Sequence, residues 1–294
     1  MEWMRSTAEI RLDPSRAEML DGARSVVVLV APYARANERV GPSPGVVARY
    51  ARGRDYHNVL RRPLRRLAAW LRAQGFETRG SADSAPVYER AWATRAGVGF
   101  IGKNCALIVP GLGSHLFLAT LVTTAELEPD TPMRARCGRC RRCIDVCPTS
   151  ALVAERELDA RLCVSYLTIE HPGPIDESLR GGVGPWFLGC DACQDVCPYN
   201  QRVHASPEVT LPFAPADRWA RYDAVDWLSM TEEQVRERSE GSPLRRLGRE
   251  RVARNAAIVL GNSQDERHLP VLREAARSDP SAVVRDACAW AAAR

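Results

Sequence analysis

The pattern of apolar and polar positions changes character several times along the chain. Ser25–Tyr33 (SVVVLVAPY) is a short β-branched apolar run and predicts a buried strand. Asn58–Gly75 places Val59, Leu60, Leu64, Leu67, Trp70 and Leu71 at helical spacing. Arginines fill the other face and Gly75 is a stop, so a helix is predicted with Trp70 in its apolar stripe. His115–Thr123 (HLFLATLVT) follows the turn PGLG and predicts a further strand. Strands alternating with helices indicate an α/β layer.

Beyond residue 132 the texture differs. Residues 133–205 hold few long apolar runs but eight of the ten cysteines. A segment so poor in core residues needs another organiser, and metal is the natural one. Residues 206–240 carry Pro207, Pro212 and Pro215 before a Trp-bearing amphipathic stretch, and read as a connector. In 241–294, Arg254-Asn255-Ala256-Ala257 recurs as Arg285-Asp286-Ala287-Cys288, a spacing of 31. With the helix, Asp-Pro break and helix between them, this predicts HEAT-type helical pairing of short period. The repeat stops inside its last helix, so it must pack on the rest of the protein or leave an apolar face open. The expected division is an α/β domain over 1–132, a ferredoxin-type domain over 133–205, a connector over 206–240 and a HEAT-like α-helical unit over 241–294.

Composition narrows the classes. A chain of 294 residues suggests two or three domains, and 45% hydrophobic residues exclude a disordered chain. A net charge of +5 permits nucleic acid as a partner without specifying it. The start, MEWMRSTAEIRLDPS, has no signal-peptide core, and the longest apolar run, around Val26–Ala31, is too short to cross a bilayer. A cytoplasmic protein with no membrane association is expected. In that reducing compartment, clustered thiols bind metal or carry electrons more often than they pair.

The cysteines carry the strongest signal. Cys137-x2-Cys140-x2-Cys143-x3-Cys147-Pro148 is the bacterial ferredoxin run. Its first three thiolates hold one [4Fe–4S] cluster and its fourth reaches another. Cys190-x2-Cys193-x3-Cys197-Pro198 repeats the motif minus one cysteine, and Cys163 between the runs can supply the missing thiolate. One cluster then takes Cys137, Cys140, Cys143 and Cys197, and the other takes Cys190, Cys193, Cys147 and Cys163. The competing reading is a pair of structural zinc sites, which usually close with separated CxxC knuckles and often His. No His interleaves here, and both runs end in Cys-Pro, which favours the clusters. For Cys163 the alternative is a core thiol. Cys105 and Cys288 remain, in segments of apolar character.

Two further features bear on chemistry. Asp83 sits among Ala82, Ala85, Pro86 and Val87, where desolvation would favour a protonated carboxyl able to donate a proton. The alternative, favoured by local sequence, is an Asx-turn or a cap for the helix that follows. AGVGFIGKN (Ala96–Asn104) is a Gly-rich turn suited to close backbone approach, without Rossmann or Walker spacing.

In four segments the chain resembles the epoxyqueuosine reductases: RGRDYHNVL (Arg52–Leu60), DSAPVYERAWATRAGVGFIGKN (Asp83–Asn104), CGRCRRCIDVCPTSAL, and GCDACQDVCPYN (Gly189–Asn200). Their order and spacing match, as does the RNAA element. The resemblance implies a cobalamin without its usual lower ligand, bound in the α/β domain near two [4Fe–4S] clusters. It implies conversion of epoxyqueuosine to queuosine at the wobble position of tRNA, the last step of queuosine synthesis. It gives Asp83 the role of proton donor, which reverses the preference for the cap. Asn104, Leu107 and Leu118 fall at the family's cobalamin contacts, and Ser165, Cys190 and Asp191 at contacts from the cluster side. Lys103 is either a ligand to a phosphate or propionamide or a surface lysine. Tyr56 and His57 belong to a family motif but have no role derivable from sequence, and His57 is not expected as a lower cobalt ligand. The implied partners are the tRNA anticodon stem-loop and an external low-potential electron donor such as a flavodoxin or ferredoxin; a monomer is implied.

Two arginine groups, Arg245, Arg246, Arg249, Arg251 and Arg254, and Arg134, Arg136, Arg139, Arg141 and Arg142, are candidates for RNA phosphates, or else solvated faces. Family members usually carry several tens of residues ahead of the segment matching Met1–Asp21, and a longer HEAT-like region. The resemblance thus leaves one side of the cobalamin pocket and part of the RNA grip unaccounted for. Two other readings compete: a corrinoid reductase of a small organic substrate, like the reductive dehalogenases, and a two-cluster electron-transfer protein. The Asp83–Asn104 segment and the absence of an export signal favour the tRNA enzyme.

Overall fold

The computed structural model describes residues 2–33 and 45–294. The chain forms two compact units. The first collects the described residues up to 33, Tyr56–Cys140 and Pro198–Pro212. The second collects the described residues from 45 to Asp55, Arg141–Cys197 and Phe213–Arg294. This partition cuts across the expected linear boundaries at 132, 205 and 240.

The first unit is built on a three-stranded antiparallel sheet of β1 (Ser25–Pro32), β2 (Thr78–Ser81) and β3 (Leu116–Thr123), with β3 central. The two long apolar runs pair with each other, Val30 opposite Leu118 and Val28 opposite Thr120. The second half of β3, Thr120–Thr123, is fully buried. Helix α1 (Tyr56–Ala73) lies over β2 and β3. Leu60, Leu64, Ala68 and Leu71 form its buried stripe. Gly80 of β2 admits the helix: a methyl group there would meet Leu121 at 3.1 Å and Leu64 at 3.6 Å. Trp70 is not in the stripe but 61% exposed. Successive helical residues turn by about 100°, so with Leu71 at the stripe's centre Trp70 falls outside it. Helix α2 (Glu89–Arg95) packs beside the sheet.

In the second unit Val46–Val47 pairs in parallel with Trp186–Leu188. Around this pair lie α3 (Val164–Ile169), α4 (Glu177–Val183), α5 (Ala224–Ser229), α6 (Gly248–Ser263), α7 (Leu269–Ser278) and α8 (Ala282–Ala292). Helix α6 is the axis: Val252–Gly261 are buried without a break. Its small residues let neighbours approach, and a methyl group on Gly261 would come within 2.6 Å of Ala291 on α8. The C-terminal helices thus pack onto the rest of their unit through α6, which meets α3, α4 and Trp186–Leu188. The stretch read as a connector also enters this core, with Trp219 6% and Trp227 2% exposed. Its helices are well started: Asp223 and Asp226 form a capping box on α5, and Thr231 and Gln234 form one on Glu232–Arg238.

Candidate active site and cluster ligands

Asp83 lies in the loop between β2 and α2. Its φ of +61° is left-handed, a conformation that non-glycine residues adopt at a cost. Two contacts hold it. The Tyr56 hydroxyl donates to Oδ2 at 2.5 Å, and the Asp83 backbone N–H donates to Glu89 Oε1 at 2.9 Å. His57 Nε2 stands 3.9 Å from the same Oδ2. The tyrosine is itself fixed, its ring stacked on Phe117 at 4.4 Å between centroids and 12° between planes. The Asp83 side chain is 58% exposed, so the expected desolvation does not fall on it. The desolvated carboxyl is Glu89, which burial pushes up to about 7, with the nearby Asp83 charge also raising it. Nor is Asp83 a helix cap, since α2 starts six residues later, after Tyr88. Glu89 was not legible as a site residue: only the folded loop brings it under Asp83.

The Gly-rich turn leads into a two-residue ladder, Phe100–Ile101 against Leu107–Ile108. Gly99 and Gly102 are required by crowding, because added methyl groups would meet Ile108 O at 2.4 Å and Ile108 Cδ1 at 2.5 Å. Lys103 is buried at 6% exposure, which removes the surface-lysine reading. Asn104 is buried too; its Oδ1 accepts the Ala106 N–H at 3.3 Å, while its Nδ2 has no hydrogen-bond partner. A buried amide left unmatched costs free energy unless a ligand accepts from it. Leu107 is buried, and Leu118 is half-buried opposite the half-buried Val30 of β1. An apolar surface with one unsatisfied amide donor suits a cobalamin, whose corrin is broad and apolar and whose amide side chains accept hydrogen bonds. Asp83, Asn104, Leu107 and Leu118 belong to the first unit; Ser165, Cys190 and Asp191 belong to the second.

The cysteine runs fold as two short helices in the second unit, Arg142–Asp145 and Ala192–Asp195, which touch each other. Cys143 and Cys193 lie on them. Burial pushes the Cys190 thiol up to about 12, and the nearby Asp191, Cys163 and Cys147 add to this. Cys193 is raised by burial and by Cys190, Cys163, Cys143 and Cys147. Cys147 and Cys163 are thus charge neighbours of both Cys190 and Cys193, and Cys143, which the spacing puts on the other cluster, neighbours Cys193 as well. Cys163 stands at the N-cap position of α3 without a side-chain capping bond, Cys147 Sγ accepts the Ala151 N–H at 3.2 Å, and all ten cysteines are free of disulfides. Buried thiols of this kind ionise when a metal compensates the charge. Among the described residues no group of three or more His, Cys, Asp or Glu converges on a single metal ion. Cys137 and Cys140 lie in the first unit, and Cys143 and Cys197 in the second. Cys288 is buried in α8, and burial pushes it up to about 12, as an apolar-core thiol.

Asp191 is 1% exposed and accepts the Arg49 N–H at 2.7 Å, with the Arg49 guanidinium at 3.5 Å and also paired to Asp195. Burial pushes Asp191 up to about 6 in spite of that arginine. Ser165 is half-buried on α3. Gly189, before Cys190, is pinned by its N–H to Thr168 Oγ1 at 2.9 Å, and a methyl group on it would meet Ala48 at 2.7 Å.

The C-terminal arginines turn inward. Arg254 is fully buried and donates to the carbonyls of Leu167, His171 and Gly173 and to Asn255 Oδ1. Burial lowers it to about 10, with Arg251 contributing. Asn255 donates to the carbonyls of Thr168 and Phe187. Arg249 pairs with Asp279, Arg251 donates to Leu247, Ile169 and Arg246 carbonyls, and Arg246 faces Asp55 at 3.3 Å. Most of the arginines expected to grip phosphate there are structural, and RNAA is a clamp on α3. Arg134, Arg136, Arg139, Arg141 and Arg142 are exposed.

Comparison with known proteins bears on these residues together. Residues 11–84 match the family model described as "Epoxyqueuosine reductase QueG, DUF1730", and residues 136–200 match a 4Fe-4S double cluster binding domain. An epoxyqueuosine reductase of Xanthomonas campestris pv. campestris is 40% identical over all of this chain and 84% of its own length. The Escherichia coli epoxyqueuosine reductase is 36% identical over all of this chain and 78% of its own. A crystal structure of an epoxyqueuosine reductase with a tRNA-Tyr epoxyqueuosine-modified stem loop superposes with a TM-score of 0.87 at 33% identity, covering 97% of this chain and 76% of that one. A Bacillus subtilis epoxyqueuosine reductase, described with an aspartate catalytic loop swung out of the active site, superposes with a TM-score of 0.85 at 32% identity over 97% of this chain and 76% of that one. Among the described residues no helix is long and apolar enough to cross a membrane. With 36–40% identity over the whole of this chain and about four-fifths of those relatives, the chain belongs to the epoxyqueuosine reductases and is an oxidoreductase with a double [4Fe–4S] cluster domain.

Proposed function

We propose that this chain reduces epoxyqueuosine to queuosine at the wobble position of tRNA, with Asp83 as the proton donor. The observation that carries the reading is the Asp83 carboxylate: solvent-facing, held in a left-handed turn, with Tyr56 donating to one of its oxygens. The relative seen with a modified stem loop and the relative described with an aspartate catalytic loop swung out of the active site support it. The reaction breaks both carbon–oxygen bonds of the epoxide and forms a carbon–carbon double bond. It consumes two electrons and two protons and releases water. Asp83 takes up a proton from solvent and passes it from its carboxyl to the departing oxygen, the second proton comes from water, and the Tyr56 O–H donates to the carboxylate left behind. Glu89 keeps the loop's backbone in place, and the stack on Phe117 keeps the phenol aimed.

Asn104, Leu107 and Leu118 would hold the cobalamin, Asn104 by its unmatched amide. When bound, the cobalamin supplies reduced cobalt for the two-electron chemistry. Cys190, Cys193, Cys147 and Cys163 would ligate one [4Fe–4S] cluster, and Cys137, Cys140, Cys143 and Cys197 the other. Electrons enter from an external low-potential donor such as a flavodoxin or ferredoxin. The test is anaerobic reconstitution of Asp83→Ala and Asp83→Asn, followed by mass spectrometry of an epoxyqueuosine stem loop. Both variants keep wild-type iron and cobalt content and lose at least about 100-fold in turnover. Turnover near wild type in Asp83→Ala refutes the assignment.

A further inference from the structure

Helix α1 carries a feature that the reaction at Asp83 does not use. Its sequence, YHNVLRRPLRRLAAWLRA, contains no acidic residue. Arg61, Arg62, Arg65 and Arg66 are all exposed. None of the four has a hydrogen bond or ion pair among the described residues, unlike Arg249, Arg251 and Arg254. With Asn58 and Ala69 they line one shallow depression of about 490 Å³. Arg61 and Arg65, and Arg62 and Arg66, are like charges one helical turn apart, an arrangement that disfavours the helix until an anion lies across it. One turn beyond Arg66 stands Trp70, 61% exposed. An exposed indole there, at the edge of the arginine face, suits a polyanion that also carries planar rings.

The position of this face matters as much as its charge. Tyr56, at the first turn of the same helix, touches the Asp83 carboxylate. At 1.5 Å per residue, Arg61 lies about 8 Å along the axis from Tyr56, Arg66 about 15 Å and Trp70 about 21 Å. A nucleotide presented to Asp83 has its neighbouring phosphates at such distances. The helix therefore orients the donor at one end and offers charges to the flanking backbone along its length.

We propose that the exposed face of α1, Arg61, Arg62, Arg65, Arg66 and Trp70, binds the RNA backbone and a flanking base of the substrate, outside the modified nucleotide. This rests on the reading of tRNA as the substrate. An acidic protein or an anionic membrane could meet the same charges; the indole and the helix's start at Asp83 favour RNA.

The test is titration of the reconstituted full chain with a fluorescent epoxyqueuosine anticodon stem loop at several salt concentrations. Three variants are compared: Arg61→Gln/Arg65→Gln, Arg61→Glu/Arg65→Glu and Trp70→Ala. Each lost phosphate contact removes about 0.7–0.9 from the slope of log affinity against log salt. The double Gln variant flattens that slope by about 1.5 and weakens binding about 10-fold at physiological salt, and the double Glu variant weakens it further. Trp70→Ala weakens binding about 10-fold with an unchanged slope, since stacking releases no counterions. All these side chains are exposed, and an unchanged melting temperature checks that the fold persists. Wild-type affinity and slope in both arginine variants overturn the proposal. So does intact RNA affinity with turnover lost only when a protein donor supplies electrons, or with binding lost only to anionic vesicles. If the wild-type chain itself fails to bind the stem loop, the functional reading falls with it; if Asp83→Ala is inactive while the α1 variants bind normally, the α1 proposal falls alone.

Discussion

Replacing Arg254 separates two roles for the C-terminal arginines. In the structure Arg254 is a fully buried staple. It donates to Gly173 O at 2.6 Å, Leu167 O at 2.8 Å and His171 O at 2.9 Å, and to Asn255 Oδ1 at 2.9 Å. Arg254→Ala strands the buried Leu167 carbonyl and the buried Asn255 Oδ1, leaves the half-buried His171 and Gly173 carbonyls without their donor, and opens a cavity the size of a guanidinium. Each stranded buried acceptor costs about 1–3 kcal/mol. The charge itself is costly to bury, and its removal gives part of that back. A net loss of about 4 kcal/mol is expected, which for a chain of this size lowers the melting temperature by roughly 10 °C. Arg254→Lys keeps the charge and three donors but not the planar fork, so it falls between. The assay is thermal unfolding followed by far-UV circular dichroism and by cluster absorbance, beside stem-loop affinity measured well below the transition. A melting temperature within 2 °C of wild type with RNA affinity lost refutes the staple and returns Arg254 to a phosphate-binding role.

Two other outcomes are expected. Glu89→Gln keeps an acceptor for the Asp83 N–H but removes a carboxyl whose value is raised from 4.5 to about 7. A raised carboxyl favours the fold below about pH 4.5 and loses that contribution as pH climbs through 7. Stability of the wild type relative to Glu89→Gln thus falls between those values, by on the order of 2 kcal/mol after allowing for solvent, as urea unfolding at pH 5 and pH 8 reads; parallel curves at both pH values would contradict it. Gly102→Ala forces a methyl group against Ile108 Cδ1 at 2.5 Å and Asn104 Oδ1 at 2.8 Å. Cobalamin retention through gel filtration should drop while iron content stays at wild type, and full retention would show that the turn gives way.

How much of this was legible depended on the kind of signal. Ser25–Pro32 and Leu116–Thr123 were readable as strands because continuous β-branched apolar runs leave few alternatives, though their mutual pairing is a tertiary fact. The helix over Tyr56–Ala73 was readable from its period, but Trp70 was misplaced because an apolar residue at the edge of a stripe looks like a member of it. The double-cluster domain was legible from the cysteine spacing, since a cluster fixes geometry that sequence must respect. Asp83 is legible only through the family motif: its apolar neighbours suggest burial and the sequence after it an Asx-turn or cap, whereas the side chain is exposed and the next helix starts after Tyr88. Glu89 and Arg49 were missed because each meets its partner through folded backbone. The C-terminal arginines escape a sequence reading because charge along a chain does not say which guanidinium groups find backbone carbonyls.

The interleaving of the two units has a consequence for biosynthesis. Each unit is assembled from three separate stretches of sequence, and the first is completed only by Pro198–Pro212. Its opening strand, finished at Pro32, waits for about 180 further residues, roughly 10–35 s of translation, before its own unit can close. Asn200, which donates to Ser114 Oγ at 2.9 Å and accepts the Ser114 N–H at 2.6 Å, is among the last pieces to arrive. No contiguous fragment ending before residue 212 holds the whole of the unit that bears Asp83. A truncation that stops before residue 212 should therefore fail to yield a stable Asp83-bearing unit, however much of the cysteine segment it keeps.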